Sequence, residues 1–165
     1  MSKSKSTRFT PRTLSQAIKL LEEGKYQLAK SSLLRLLEEQ PGNFVIRRNA
    51  AICFFNAGNE HARRRRWKEA IQSYEHALSI DSNYPPIYYN LGLAYGYLPN
   101  YDLAKKWLKR ALEFEPDDAQ AHLALGFVHY DSGRKKKARE HLQRYLELEP
   151  DSDNAAPVRK ILSSL

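Results

Sequence analysis

A period of 34 residues constrains this chain more than any single motif does. Gly92 and Gly126, Ala104 and Ala138, Leu108 and Leu142, Leu112 and Leu146, and Pro116 and Pro150 all stand 34 apart. One step earlier, Ala70, Ala77 and Leu78 precede Ala104, Ala111 and Leu112 by the same interval. A repeating unit of this length cannot bury its apolar face alone, so successive units must stack around a continuous core.

Within a unit, two helical stripes alternate with breaks. Tyr88, Leu91, Gly92 and Tyr95 follow the i, i+3, i+4, i+7 pattern, and Tyr101, Ala104, Leu108 and Ala111 follow it again. Pro99-Asn100 interrupts the two stripes, and the run from Glu115 to Asp118 ends the second. Each unit therefore reads as an antiparallel helix pair, with small residues such as Gly92 and Ala104 letting the helices approach closely.

A 34-residue helix pair of this kind resembles the tetratricopeptide repeat. Residues 85–118 carry the family's pattern at Tyr88, Leu91, Gly92, Tyr95, Tyr101, Ala104, Leu108, Ala111 and Pro116, with Pro99 where the pattern has glycine. Residues 119–152 carry it at Leu125, Gly126, Gly133, Ala138, Leu142 and Pro150, with His122 and His129 at aromatic positions. Residues 10–43 match more thinly, at Ala17, Gly24, Tyr26, Ala29, Leu33 and Pro41. The resemblance implies an all-α superhelix, a solenoid of four helix pairs at 10–43, 44–84, 85–118 and 119–152. Beyond it, Val158, Ile161, Leu162 and Leu165 form an amphipathic stripe, so residues 153–165 read as a helix capping the last apolar edge.

The second unit is longer than the others. Ala29 to Ala70 is 41 residues, whereas Ala17 to Ala51 is 34, which places seven extra residues between Ala51 and Ala70, near 58–66. That stretch holds four consecutive arginines, Arg63, Arg64, Arg65 and Arg66. Gly58 and Asn59 could cap one helix and open the next, so that the second helix starts early. The alternatives are one extra turn on each helix, with the reversal near 61–64, or an irregular loop. Successive helical residues turn by about 100°, so only some of the four cations could face one partner.

The formal charge is +8, concentrated in the N-terminal half, which favours an acidic partner or surface. Nucleic acid is disfavoured, because backbone binding needs cations along a track with aromatics for stacking, and only Trp67 adjoins the run. Residues 1–9 read as a disordered basic tail, with an organellar transit peptide as the alternative. No apolar run approaches a membrane span. The single cysteine, Cys53, leaves no intrachain disulfide and fits a reducing, cytoplasmic setting.

No catalytic constellation stands out. His122 and His129 occupy packing positions, while His61, His76 and His141 lack partners at metal-ligand spacing. Neither a metal nor a cofactor is expected, nor is catalysis. The resemblance instead implies a concave groove lined by the first helices. Its positions fall on Arg48, Asn49, Ile52, Phe55 and Asn56, on Tyr89, Asn90, Leu93 and Tyr97, and on Phe127, Tyr130 and Asp131. Exposed aromatic area beside side-chain amides suits capture of a peptide backbone. Some relatives clamp a C-terminal carboxylate with Lys and Asn at 5 and 9 of one repeat, Asn at 6 of the next, and Lys and Arg at 2 and 6 of a third. Only the middle asparagine is kept here. The expected function is a non-catalytic protein-interaction module. The competing readings are an adaptor that binds an acidic protein, a membrane surface or nucleic acid through the basic patch Arg63–Arg66, and a self-assembling scaffold.

Overall fold

The computed structural model describes residues 13–165, so the basic tail at 1–9 lies outside the described residues. Four helix pairs follow in order: α1 (Leu14–Glu22) with α2 (Tyr26–Glu39), α3 (Phe44–Arg63) with α4 (Trp67–Ile80), α5 (Pro85–Tyr97) with α6 (Tyr101–Phe114), and α7 (Ala119–Asp131) with α8 (Lys135–Leu148). A ninth helix, α9 (Ala155–Ser164), packs on α8. No strand occurs among the described residues, and the protein is an all-α solenoid.

Local chemistry explains where helices begin. The side chain of Asn43 accepts from the amides of Val45 and Ile46 at 3.1 and 3.3 Å, and Asp118 accepts from Gln120 and Ala121 at 2.9 and 3.2 Å. These bonds occupy first-turn N–H groups that have no partner inside the helix. α5 opens instead on Pro85, whose missing N–H costs nothing at that position.

The reversal inside each pair has the same construction four times. The amides of Lys25, Arg66, Asn100 and Arg134 donate to the carbonyls of Leu20, His61, Tyr95 and His129 at 2.8–2.9 Å. The residue before each of these donors takes a positive φ: Gly24 at 71°, Arg65 at 57°, Pro99 at 23° and Gly133 at 73°. The arginine run is therefore the ordinary turn of the second pair, not an insertion. Arg65 adopts a backbone that disfavours a Cβ. Replacing Arg65 with glycine is expected to stabilise the protein by about 1 kcal/mol, raising Tm by about 2–4 °C. A calorimetric Tm that stays put or falls would show that the turn carries no strain.

The seven additional residues sit elsewhere. Gly58, Gly92 and Gly126 stand 34 apart, and each faces its own second helix, at Tyr74, Leu108 and Leu142, also 34 apart. Gly58 is thus the close-approach residue in the middle of α3, neither a cap nor a helix end. α3 has 20 residues where α5 and α7 have 13, and the excess is its first two turns, residues 44–50. Alignment through Ala51 misled because Ala50 and Ala51 are both small and both fully buried. The added turns are held on both sides. Ile46 and Ala50 join Leu33 and Leu36 of α2 in the first core cluster. On the other side, Arg47 donates from Nε and Nη2 to the carbonyl of Ile80 at 3.0 and 2.9 Å.

The core runs the length of the stack as linked clusters. Leu33, Tyr74, Leu91, Leu108, Leu125, Leu142 and Tyr145 are almost fully buried. At the far end, Val158 is fully buried, and Ile161, Leu162 and Leu165 pack against the cluster of Leu142 and Tyr145.

Candidate functional site

α5 and α7 lie side by side, and an apolar cleft opens between them. It measures about 270 Å³ and is lined by Leu93, Gly96 and Tyr97 of α5, Tyr101 of α6, and Ala124, Phe127, Val128 and Asp131 of α7. Gly96 stands where a side chain would narrow the floor, since a Cβ there would touch Val128 at 3.6 Å. Tyr97 is 63% exposed, yet its ring lies flat on Trp67, with centroids 4.2 Å apart and planes 7° apart. The stack orders an exposed aromatic at the cleft's rim without burying it.

Of the residues named from the sequence, Tyr97, Phe127 and Asp131 meet in this cleft. Tyr130 is exposed at 42% beside it in α7 but does not line it. Tyr89 lines a smaller depression of about 160 Å³ with Pro86, Glu115 and Asp118. Burial, helped by the Asp118 carboxylate and by Tyr97, pushes its hydroxyl above the ordinary tyrosine pKa.

Others are committed to the fold. Arg48 forms an ion pair with Asp81, donates to the Asn83 carbonyl at 2.7 Å and lies over the Tyr84 ring. Burial alone would raise the Asp81 pKa, but the bonds from Arg48 and the Asn83 amide, with the charges of Arg48 and Arg47, hold it below the ordinary value. Arg48 and Asn49 fall within the two added turns, so the frame that put them in the groove is the one corrected above. Asn49 donates to the Val45 carbonyl and Asn90 to the Pro86 carbonyl, at 2.8 and 2.9 Å, each within its own helix. Phe55 packs edge-on against Tyr84 and also contacts Tyr74. The Asn56 side chain makes no hydrogen bond among the described residues.

In the corrected frame Asn59 takes the position equivalent to Leu93 and Phe127, and its oxygen accepts from the Tyr74 hydroxyl at 2.8 Å. The sequence reading took Asn59 as a possible helix cap rather than a groove residue, and passed over Gly96. The signal for Asn59 was the interval from Gly58 to Gly92.

The remaining chemistry is quiet. Cys53 is 1% exposed and its thiol is pushed up to about 12 by burial, which leaves it unreactive. A second polar cluster joins α7 and α8. His122 Nε2 lies 3.0 Å from the Pro116 carbonyl, which can only accept, so that nitrogen carries the proton. His122 Nδ1, 3.0 Å from His141 Nδ1, is then the acceptor and His141 the donor. His129 is 1% exposed, stacks on His141 and has no hydrogen-bond partner for either ring nitrogen among the described residues.

Stacked antiparallel helix pairs of fixed period, with an apolar cleft between neighbouring first helices, define a helical-repeat solenoid. Residues 58–98 match the family described as TPR repeat, and residues 99–161 match the tetratricopeptide repeat family. The chain belongs to the tetratricopeptide repeat family.

Over 44 residues it is 46% identical to a probable UDP-N-acetylglucosamine–peptide N-acetylglucosaminyltransferase, SPINDLY, of Oryza sativa subsp. japonica, which is 27% of this chain and 5% of that protein. Among solved structures, the Arabidopsis OM64 TPR domain is 22% identical with a TM-score of 0.68, covering 72% of this chain and 98% of that one. The first TPR of Spaghetti (RPAP3), bound to an HSP90 peptide, is 24% identical with a TM-score of 0.65, covering 69% and 91%. Both likenesses concern the fold. No helix among the described residues is long and apolar enough to cross a membrane.

Proposed function

We propose that this chain is a non-catalytic interaction module that holds a partner peptide in the α5–α7 cleft. The occupant is an extended segment with a bulky apolar side chain seated among Leu93, Tyr97 and Phe127, followed by a basic residue that meets Asp131. The observation that carries the reading is the cleft itself: it is apolar within, rimmed by an ordered exposed aromatic, and bears one carboxylate at its edge. Apolar pockets with a few convergent polar groups are the usual form of a recognition site. The related domain of Spaghetti (RPAP3) holds a chaperone peptide, which supports a peptide as the ligand class.

A C-terminal carboxylate tail is the less favoured ligand. In the corrected frame, units two to four offer Phe55, Asn59, Asn90, Gln120 and Ala124 at the five clamp positions. The two asparagines fit, but the three cations that would neutralise a carboxylate are missing.

Selection from a random peptide display library tests the reading. The wild type should enrich sequences with a large apolar residue next to Lys or Arg. Phe127→Ala should abolish that enrichment, and Asp131→Lys should switch the flanking preference from basic to acidic. A consensus indifferent to both substitutions would overturn it.

A further inference from the structure

A second surface, which shares Tyr97 and Tyr101 with the rim of the peptide cleft, lies along the edge formed by the turns inside the helix pairs. From its geometry we infer that this edge binds single-stranded nucleic acid. Two basic clusters stand along it, at the second and fourth turns. Arg65, Arg66 and Lys68 at the second turn form no ion pair among the described residues, whereas Arg63 and Arg64 both pair with Glu60. At the fourth turn, Arg134, Lys135 and Lys136 are exposed and also form no ion pair among the described residues.

Between the clusters lie an aromatic stack and a polar cleft. The stack of Trp67 on Tyr97 joins the second turn to the third. A polar cleft lined by Asn100, Tyr101, Asp102, Lys105 and Arg134, among others, joins the third turn to the fourth, and its one carboxylate, Asp102, is paired with Lys105 at 2.8 Å. The order along the edge is therefore cations, an exposed aromatic face, a polar channel, and cations again. Cations neutralise phosphates, and an aromatic face stacks bases without regard to sequence. An acidic peptide would use the cations but has no need of the flat ring between them, which is why nucleic acid is favoured. The arginine run alone could not carry this inference. The fourth turn completes the track, and Tyr97 supplies the stacking face.

The test is fluorescence anisotropy with labelled single-stranded oligothymidylate. Binding that engages about four phosphates should weaken by about 50-fold between 50 and 200 mM salt, from a slope of about −0.7 per phosphate. At the lower salt, Arg65→Glu/Arg66→Glu and Lys135→Glu/Lys136→Glu should each weaken it at least about 10-fold. Tyr97→Ala should weaken it by about 5-fold or more, from lost stacking. In a Trp107→Phe background, the oligonucleotide should quench Trp67, which reads stacking with every edge residue intact. Phe127→Ala, which disables the peptide cleft, should bind oligothymidylate as the wild type does, and the two charge reversals should leave peptide selection intact, so the sites fail separately although both use Tyr97. No binding at low salt would overturn the inference. So would an unaffected Tyr97→Ala together with equal displacement by polyglutamate, which would make the edge a dock for acidic protein. Sensitivity to only one basic cluster would likewise show that no continuous track exists.

Discussion

Gly58→Ala and Gly92→Ala should each destabilise the protein by about 2 kcal/mol, whereas Gly96→Ala, one turn beyond Gly92, should leave it unchanged or more stable. A Cβ at Gly58 would stand 2.5 Å from Tyr74 Cδ1, and Tyr74 is 1% exposed with its hydroxyl bonded to Asn59. The ring has no free volume into which to swing. At Gly92 a Cβ would stand 2.8 Å from Leu108 Cδ2 and 3.1 Å from the Leu108 backbone nitrogen, so α6 itself would have to move. Overpacking of this kind costs about 1–3 kcal/mol. It exceeds the gain of up to about 1 kcal/mol that alanine brings to a helix interior. Gly96 meets Val128 only at ordinary contact distance, so there the propensity gain stands nearly unopposed. For a chain of this size the first two substitutions should lower Tm by about 4–8 °C. A Gly58→Ala variant as stable as the wild type would mean that Gly58 is not the close-approach residue of the second pair. The two added turns of α3 would then need another location.

That register is also where sequence and structure part company. The 34-residue interval, two stripes per unit and the terminal amphipathic stretch are set by local periodicity, and the fold class and most helices were legible from them. The position of the extra seven residues was not. Ala50, Ala51 and Gly58 are all small enough for a helix contact, so composition alone allows two frames seven residues apart. Two helical turns change the facing direction by only about 20°, so either frame keeps the apolar stripe inward. Only the partner across the pair, Tyr74, decides between them. The site inherited the error in one repeat: Arg48 and Asn49 moved off the groove positions and Asn59 moved onto them. In the third and fourth repeats, where the glycines stand unambiguously, Tyr97, Phe127 and Asp131 converge on the cleft. The edge was illegible for another reason. Its two basic clusters are separated by about two repeats in sequence, and the Trp67–Tyr97 stack that bridges the gap is a contact between repeats.

Acid should unfold the last repeat before it threatens the first. Burial comes first among the causes that depress His129 to about 4, followed by the charges of His141, Lys105, Lys137 and Arg134. His141 also falls to about 4, through burial and then His122, with Lys109 and Lys137 adding to it and Glu140 opposing. In the unfolded chain both titrate near 6.5. Between those values the unfolded state binds protons that the folded state refuses, so stability rises with pH across that window. The contribution is fully present above about 6.5 and is lost as the pH falls toward 4. For His129, which is nearly inaccessible, it amounts to on the order of 3 kcal/mol; the half-buried His141 contributes in the same direction. Urea unfolding at a series of pH values should show stability dropping by several kcal/mol from pH 7 to pH 4.5. His129→Leu should remove much of that slope. It should also be more stable at pH 7, by about 1–3 kcal/mol, because two unpartnered ring nitrogens leave the core. If the leucine variant keeps the wild-type slope, the acid sensitivity lies in carboxylates such as Asp81, and the histidines are passive packing.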